Sequence, residues 1–262
     1  MTSATPTLRH ERQLLRDGAR LVIGCDEVGR GAIAGPVGVG LSVVYEQTRS
    51  APVGLRDSKL LSEPRREELH PAVAAWSRNA VGLASNEEVE SVGIIVALGL
   101  AAARAIETLR ASGVAIQDAV VLLDGSHDWL TPALRPDDRA LGLRVTTKVK
   151  ADRTCAAVAA ASVLAKVHRD RIMIASDAVH PGYLWWSNKG YASAEHYAAI
   201  DRIGPSPLHR WSWLRQPGLF DLADGDEEFA ADEMPADDGE FVDRFDEYAG
   251  DDAESAGLEQ SA

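Results

Sequence analysis

One glycine-rich stretch constrains the fold of this 262-residue chain more than any other segment. The apolar run Leu21–Gly24 opens directly into GCDEVGRGAIAGPVGVG, residues 24–40, and the apolar segment Val37–Tyr45 continues from it. Two apolar runs joined by a Gly-rich connection predict a hairpin-like pair of strands. Asp26 and Glu27 end the first of these strands, so two adjacent carboxylates stand where a buried strand meets a turn.

The rest of the chain up to residue 217 alternates between helical and strand patterns. Ser62-Glu63-Pro64 predicts a helix start that runs to about Trp76. Asn86 is a candidate cap for one long helix through about Ala111. Further strands are predicted over 80–84, 119–123 and 143–149, and further helices over 153–176 and 193–203, after a polar lead-in with helical character over 1–20. Strands interleaved with helices predict an α/β layered domain.

Charge is distributed very unevenly along the chain. Residues 218–262 hold 17 Asp and Glu against one Arg, a net charge of −16, whereas residues 1–217 hold 26 Lys and Arg against 23 Asp and Glu, a net charge of +3. The slightly basic body permits a polyanionic partner. The tail has too few apolar residues to bury, so 1–217 is predicted to be the folded domain and 218–262 a disordered acidic tail.

Several classes of protein are disfavoured by composition. No apolar run is long enough to span a bilayer, and the N-terminal residues lack the pattern of a signal peptide. Two cysteines, Cys25 and Cys155, cannot build a disulfide framework and form no CxxC zinc pair. We therefore expect a cytoplasmic protein without membrane association, and a monomer is the default expectation.

Four acidic residues stand where strands end or helices begin: Asp26, Glu27, Asp124 and Asp152. Two-metal phosphodiester hydrolysis needs several carboxylates around two divalent ions about 3.5–4 Å apart, and Mg²⁺ and Mn²⁺ prefer such oxygen ligands. Each residue taken alone has a plainer interpretation, as solvated turn charges, as an Asp-Gly turn or as a helix cap. Neighbours on a regular strand point to opposite faces, so Asp26 and Glu27 are expected to share a site only if the backbone there is irregular.

The chain resembles the type 2 ribonuclease H family in five ordered blocks. These are GCDEVGRGAIAGPV (24–37), DSKLLSEPRRE (57–67), VLLDG (121–125), KADRTCAAVAAASVLAKVHRDR (150–171) and GYLWWSNKGYASAEHYAAIDRIGPSPLHR (182–210). The resemblance covers roughly residues 20–213. It departs from the usual bacterial pattern at Ala151, where Gly is common, and at Trp211 and Trp213.

The resemblance implies a ribonuclease H-like fold, a mixed five-stranded sheet flanked by helices with a helical C-terminal extension. It implies Asp26, Glu27, Asp124 and Asp152 as catalytic ligands of two Mn²⁺ or Mg²⁺ ions. It implies hydrolysis of the RNA strand of RNA/DNA hybrids, and of DNA containing ribonucleotides on the 5′ side of a ribonucleotide, leaving 5′-phosphate and 3′-hydroxyl ends. Substrate binding falls by the same resemblance on Gly29, Arg30, Gly31 and Tyr191.

These assignments have a physical rationale. Recognising RNA requires sensing the 2′-hydroxyl, and backbone at Gly29 and Gly31 could approach it closely because no Cβ intervenes. Arg30 could hold a phosphate bidentately, and Tyr191 could stack on a sugar or base. Basic residues in the matched blocks are candidates for phosphate contacts: Lys148, Lys150, Arg153, Lys166, Arg169, Lys189 and Arg210.

Three other functions stay open from the sequence. Another two-metal nuclease of the same fold would cut all-DNA substrates, and the Gly-Arg-Gly sequence beside Asp26 and Glu27 argues against it. A hybrid-binding protein that has lost catalysis would usually lack one carboxylate, whereas all four positions are filled. A small-molecule phosphatase fits poorly, because the chain has extended basic segments and no compact phosphate loop.

Overall fold

The computed structural model describes residues 5–134 and 142–214. One five-stranded sheet forms the centre of this region, with the spatial order β3-β2-β1-β4-β5. The strands are β1 (Val22–Val28), β2 (Val37–Val44), β3 (Arg78–Ala84), β4 (Val120–Asp124) and β5 (Arg144–Lys148). The predicted tail over 218–262 lies outside the described residues.

The sheet is mixed, as the sequence predicts. β1 pairs antiparallel with β2, which pairs antiparallel with β3, and β4 and β5 continue the sheet in parallel with β1. The hairpin-like pair predicted from the Gly-rich stretch is therefore confirmed. All eight residues of β2 are buried, as expected for a strand that is covered on both faces.

Helices flank the sheet on both sides. In the described residues they are α1 (Arg9–Arg16), α2 (Glu63–Trp76), α3 (Asn86–Val92), α4 (Ile94–Ala111), α5 (Ala151–Thr154), α6 (Ala156–Val179), α7 (Trp185–Asn188) and α8 (Ala194–Ile203). The predicted α/β class is confirmed, and α7 and α8 supply the predicted helical extension beyond the sheet.

The long helix α6 lies unusually close to the sheet because small residues face each other across the contact. A Cβ on Gly24 would stand 2.2 Å from the backbone carbon of Ala157, and one on Gly40 would stand 2.4 Å from the carbonyl oxygen of Ala161. Such separations are far inside van der Waals contact, so only Gly in the strands permits this packing. The alanine-rich sequence of α6 thereby places this helix directly behind the end of β1.

Two predicted helices are interrupted. The prediction of a single helix from Asn86 to Ala111 is wrong, because Gly93 (φ +80°) separates α3 from α4. Ser85 rather than Asn86 caps α3, through a capping box with Glu88. The helix predicted over 153–176 is also divided. Extended backbone at Cys155 separates α5 from α6, so Asp152 lies on its own short helical turn.

The N-terminal segment before β1, which includes α1, holds the start of α6 in place. Glu11 on α1 is fully buried, and its Oε1 accepts a hydrogen bond of 2.8 Å from the backbone N–H of Ala157. Thr7 forms a bridge with Cys155, the residue between α5 and α6. A carboxylate at a helix N-terminus satisfies free N–H groups and complements the helix dipole. This contact therefore anchors the chain immediately after Asp152.

Candidate active site at the end of β1 and β4

The carboxyl ends of two parallel strands bring the first and third predicted carboxylates together. Cys25 on β1 pairs with Leu123 on β4, so the next residues, Asp26 and Asp124, lie at the same level of adjacent strands. Burial raises the pKa of Asp26 well above its ordinary value, and the nearby charges of Glu27 and Asp124 raise it further. Two carboxylates that raise each other's pKa are close neighbours in a poorly solvated place.

Glu27 joins this pair although the backbone is regular, contrary to the expectation of an irregular turn. β1 remains paired with β2 through Val28, which lies opposite Gly38. β4 pairs with β1 only as far as Cys25, so the ladder between these strands ends just before Asp26 and Glu27. Burial raises the pKa of Glu27, with Asp124 adding to the rise and Arg30 opposing it.

The fourth carboxylate is delivered by a tight turn between β5 and α5. Lys150 adopts the left-handed conformation (φ 55°), and the backbone N–H of Ala151 then donates a 2.6 Å hydrogen bond to Oδ1 of Asp124. Asp124 thereby caps the short helix that carries Asp152. Burial and, after it, repulsion from Asp124 and Asp57 together raise the pKa of Asp152 to about 7. The interpretation of Asp152 as a plain cap is not supported, since Asp124 fills that role.

A fifth carboxylate, Asp57, belongs to the cluster, although the sequence reasoning gave it no role. It is 1% exposed, and its charge raises the pKa values of both Asp124 and Asp152. Arg153 Nε lies 3.4 Å from its Oδ2 and balances part of the negative charge. In the sequence, the position of Asp57 at the start of the family-like block 57–67 is the signal that points to it.

Two serine hydroxyls support the cluster from α6 and the 3₁₀ turn Ser58–Leu60. Ser162 Oγ donates a 2.8 Å hydrogen bond to Ser58 Oγ. The Ser162 hydroxyl is also close enough to Asp26 to lower the pKa of that carboxyl, against the larger effect of burial. Ser162 follows the alanine run Ala159–Ala161 on α6. The contact with Asp26 makes it a polar support of the site.

The chemistry of the carboxylate cluster fits hard divalent cations. Oε2 of Glu27 and Oδ1 of Asp152 are buried and have no hydrogen-bond partner, so each leaves a lone-pair-bearing oxygen uncompensated. Within residues 5–134 and 142–214, however, no three His, Cys, Asp or Glu side chains already enclose a point where a metal ion could sit. The carboxylates thus gather at one rim without forming a closed cage.

The Gly-Arg-Gly loop lies beside this rim, and its two glycines have different surroundings. Gly29 has φ +78°, and a Cβ there would stand 2.1 Å from Nε of Arg169, so an internal contact already demands glycine. A Cβ on Gly31 would meet nothing within 4 Å, which leaves that position open to a ligand. Arg30 lies 3.8 Å from Glu27 and is partly exposed, so its guanidinium remains accessible.

Arg169 and Arg210 are not available to phosphate, contrary to the sequence-based prediction. Both are fully buried. Arg169 donates to the backbone carbonyls of Pro36, Ala34 and Lys189 at 2.7–2.9 Å. The guanidinium of Arg210 donates to the carbonyl of Gly35 at 3.0 Å.

Lys189 is similarly engaged, because its ammonium donates to Glu63 at 2.9 Å. Lys166 forms a 2.7 Å ion pair with Asp170. Lys150 is exposed, as a phosphate contact requires. These basic residues therefore divide into internal braces and surface charges, a division that the sequence does not reveal.

Tyr191 lies next to the Gly-rich loop, as its predicted role requires. Ile33 and Ala34 both donate backbone hydrogen bonds to the carbonyl of Gly190, at 2.9 and 3.1 Å. The Tyr191 ring is half-buried between two cations, with Lys166 Nζ and Arg169 Cζ each 5.3 Å from its centroid. Cations over an aromatic face hold the ring in orientation.

A mixed five-stranded sheet with carboxylates gathered at the end of its central strands defines the chain as a ribonuclease H-like nuclease. The sequence profile of the family Ribonuclease HII matches residues 23–216. The Ribonuclease HII of Streptomyces coelicolor is 44% identical over 210 residues, which cover 79% of this chain and 83% of that protein. The Ribonuclease HII of Caulobacter vibrioides is 42% identical over 200 residues, which cover 75% and 85% respectively. The chain belongs to the ribonuclease HII family.

Solved structures agree with this membership. The RNase HII of Archaeoglobus fulgidus, determined in a complex with PCNA, has a TM-score of 0.57 and 26% sequence identity, and the alignment covers 76% of this chain and 98% of that one. The Bst RNase HIII, determined in complex with Mn²⁺, shares the fold with a TM-score of 0.56 at 22% identity, over 71% of this chain and 64% of that one.

Three predictions from the sequence are thereby confirmed: the family, the fold class and hydrolytic endonuclease activity. The family consists of endoribonucleases that degrade RNA in RNA/DNA hybrids, and dependence on divalent metal ions is typical of it. In the described residues no helix combines the length and the apolar character needed to cross a bilayer.

Proposed function

We propose that Asp26, Glu27, Asp124 and Asp152 hold two divalent ions, Mn²⁺ or Mg²⁺, and that the chain hydrolyses the RNA strand of RNA/DNA hybrids with them. One observation carries the proposal: four carboxylates from three separate segments meet at one rim, where the charges of Glu27, Asp124 and Asp152 all raise the pKa of Asp26, and two of their buried oxygens lack any hydrogen-bond partner. Such repulsion is costly unless cations offset it. When bound, the ions would supply an activated water and neutralise charge on the leaving oxygen.

The protein's own groups then have distinct tasks. The charges of Glu27, Asp124 and Asp152 all act on Asp26, and we propose Asp26 as the ligand shared by both ions. Asp124 holds the short helix of Asp152 in place through the N–H of Ala151, so the two carboxylates are positioned together. Ser162 on α6 would support Asp26 as a polar neighbour.

Substrate recognition is proposed for the two loops beside the carboxylates. Gly31, whose Cβ position is open, would let backbone approach the 2′-hydroxyl, which both donates and accepts hydrogen bonds. Gly29 would hold the loop in the required conformation, and Arg30 would bind a phosphate. Tyr191 would stack on the sugar or base that follows the ribonucleotide, a contact typically worth about 1–3 kcal/mol.

We further propose that the chain cuts DNA containing a single ribonucleotide, on the 5′ side of that residue, and leaves 5′-phosphate and 3′-hydroxyl ends. Arg30 beside Glu27 supports this, because one loop would then contact the phosphate and the metal ligands together.

The test uses three labelled duplexes of the same sequence: all DNA, DNA with one ribonucleotide, and an RNA/DNA hybrid. We expect cleavage of the last two with Mn²⁺ or Mg²⁺ and no cleavage with EDTA. Asp26→Asn should abolish cleavage while duplex binding persists. Equal cutting of the all-DNA duplex would favour a general nuclease. Binding of hybrid without any cleavage under all metal conditions would favour a hybrid-binding protein that has lost catalysis.

We also propose that residues 1–217 act as the catalytic domain with its helical extension, as a monomer in the cytoplasm, and that 218–262 form a separate acidic appendage. The appendage carries a net charge of −16 and would compete with nucleic acid for basic side chains of the domain. Deleting 218–262 should increase hybrid affinity at low salt and change it little at high salt. Unchanged affinity at low salt would contradict the competition.

A further inference from the structure

A buried pair of histidines lies beneath the loop that carries Tyr191, outside the carboxylate cluster. His196 on α8 and His209 are both fully buried, and their Nε2 atoms lie 3.1 Å apart. They pack against the rings of Tyr183 and Trp185, which stack on each other with centroids 5.0 Å apart. These four side chains take no part in the carboxylate chemistry proposed for the cluster.

The partners of His196 determine which of its ring nitrogens carries the proton. Nδ1 lies 2.9 Å from the carbonyl oxygen of Tyr191, which can only accept, so Nδ1 must be protonated. The indole N–H of Trp185 donates to Nε2 at 2.9 Å, so Nε2 must be bare. His196 is therefore neutral and fixed in the Nδ1–H tautomer.

His209 holds the complementary tautomer. The backbone N–H of Ser206 donates to its Nδ1 at 2.8 Å, so Nδ1 accepts and the proton resides on Nε2. That Nε2–H points to the bare Nε2 of His196 and donates to it. The indole N–H of Trp185 and the Nε2–H of His209 thus both point to Nε2 of His196. His196 therefore keeps its single proton on Nδ1, which faces the carbonyl of Tyr191. Burial lowers the pKa of both imidazoles, which agrees with their neutral state.

The same segment pairs with the Gly-rich loop. Ala34 forms a bridge with His209, and Arg210 donates its backbone N–H to the carbonyl of Ile33 at 2.8 Å. His196 therefore connects the backbone of Tyr191, through His209, to the strand-like segment that holds the Gly-Arg-Gly loop. A shift of this link would change the spacing between the two proposed substrate-reading loops.

We propose that His196 is a positioning residue for Tyr191, with its tautomer fixed by Trp185 and His209, and that it thereby sets where the Tyr191 ring meets the nucleic acid. The proposal rests on the substrate-binding role proposed for Tyr191. His196 does not contact substrate itself. Its contribution is one hydrogen bond of 2.9 Å from Nδ1 to the carbonyl of Tyr191.

The test compares His196→Asn with His196→Leu. Asn can place an amide N–H where Nδ1 stands, so it can keep the bond to Tyr191, whereas Leu cannot. Both variants remove the acceptor for Trp185 and His209, so they share that structural cost. We expect Asn to retain kcat/KM on the single-ribonucleotide duplex within about threefold of the parent, and Leu to lose about tenfold.

A double-mutant cycle with Tyr191→Ala distinguishes positioning from general destabilisation. If His196 acts through Tyr191, then His196→Leu and His196→Asn should have equal kcat/KM once Tyr191 is Ala. A persistent tenfold gap between them in the Tyr191→Ala background would overturn the proposal, as would equal losses for Leu and Asn in the presence of Tyr191. The Asn variant also guards against a Leu variant that fails to fold.

Nitrogen-15 spectra of the imidazoles give a readout that does not depend on activity. We expect one buried histidine protonated at Nδ1 and the other at Nε2 at neutral pH. A His196 protonated at Nε2 would overturn the assignment. If Tyr191→Ala cuts as well as the parent, the substrate role of Tyr191 and this proposal both fail, while cleavage of hybrids by the parent still stands as a separate result.

Discussion

Replacing Asp152 by Asn should stabilise the metal-free protein while abolishing its activity. In the folded state the pKa of Asp152 is raised from 3.8 to about 7. The unfolded chain therefore releases this proton near pH 3.8 and the folded chain only near pH 7, so stability is lost as the pH rises between these values. At 1.36 kcal/mol for each pH unit, the full cost above pH 7 is about 4 kcal/mol.

Solvent screening reduces that figure, because Asp152 is only partly buried. We expect Asp152→Asn to raise the free energy of unfolding by about 2 kcal/mol at pH 8 in EDTA, and by less at pH 5, where the parent carboxyl is already protonated. Urea denaturation followed by tryptophan fluorescence would measure both values. Asp201→Asn, on the exposed side of α8, is the matched control and should change stability little.

Metal ions provide the second half of this experiment. Mn²⁺ or Mg²⁺ should stabilise the parent, because ions bind the folded carboxylates and offset their repulsion, and should stabilise Asp152→Asn much less. The reasoning would be refuted if Asp152→Asn were less stable than the parent at pH 8 in EDTA. A gain no larger than that of Asp201→Asn would refute it equally, since repulsion at the site would then contribute nothing.

Three further predictions concern the loops behind the site. Arg169→Met should lower the free energy of unfolding by about 3 kcal/mol or more in urea denaturation, because three backbone carbonyls lose their donor. The exposed control Arg9→Met should change it little. Equal effects of the two substitutions would contradict the bracing role of Arg169. Gly29→Ala should lower the midpoint of thermal unfolding, because φ is +78° and the new Cβ would meet Arg169. Gly31→Ala should leave that midpoint unchanged and reduce hybrid cleavage. A stable and active Gly29→Ala variant would refute the structural role of Gly29. Burial and His196 lower the pKa of His209 to about 4. As the pH decreases from 6.5 to 4, the unfolded chain therefore takes up a proton that the folded chain does not, and the free energy of unfolding decreases by up to about 3 kcal/mol. His209→Asn should flatten this slope in urea denaturation as a function of pH, and an unchanged slope would contradict it.

Local patterns in the sequence determine a large part of this protein. The apolar runs before Asp26 and Asp124 predict β1 and β4. Asp124 ends β4 as predicted, whereas β1 continues beyond Asp26 and Glu27 to Val28. The mixed sheet and the family follow from five ordered blocks whose residues are close neighbours along the chain. Gly93 is a local signal as well, because its positive φ ends α3, although the helical pattern on both sides of it hides the break.

Other features depend on contacts between residues far apart in the sequence. Gly29 must be glycine because Arg169, on α6, lies against it, and Arg169 turns inward because the carbonyls of two loops surround it. Asp57 enters the carboxylate cluster only when the 3₁₀ turn packs beside α5 and α6.

The tautomers of His196 and His209 are likewise decided by tertiary structure, because their partners come from separate segments: the indole N–H of Trp185, the carbonyl of Tyr191 and the backbone N–H of Ser206. A sequence fixes which groups can ionise, donate or accept. Whether an arginine faces phosphate or backbone, and which nitrogen of a histidine holds its proton, depends on partners that only the folded chain brings within hydrogen-bonding distance.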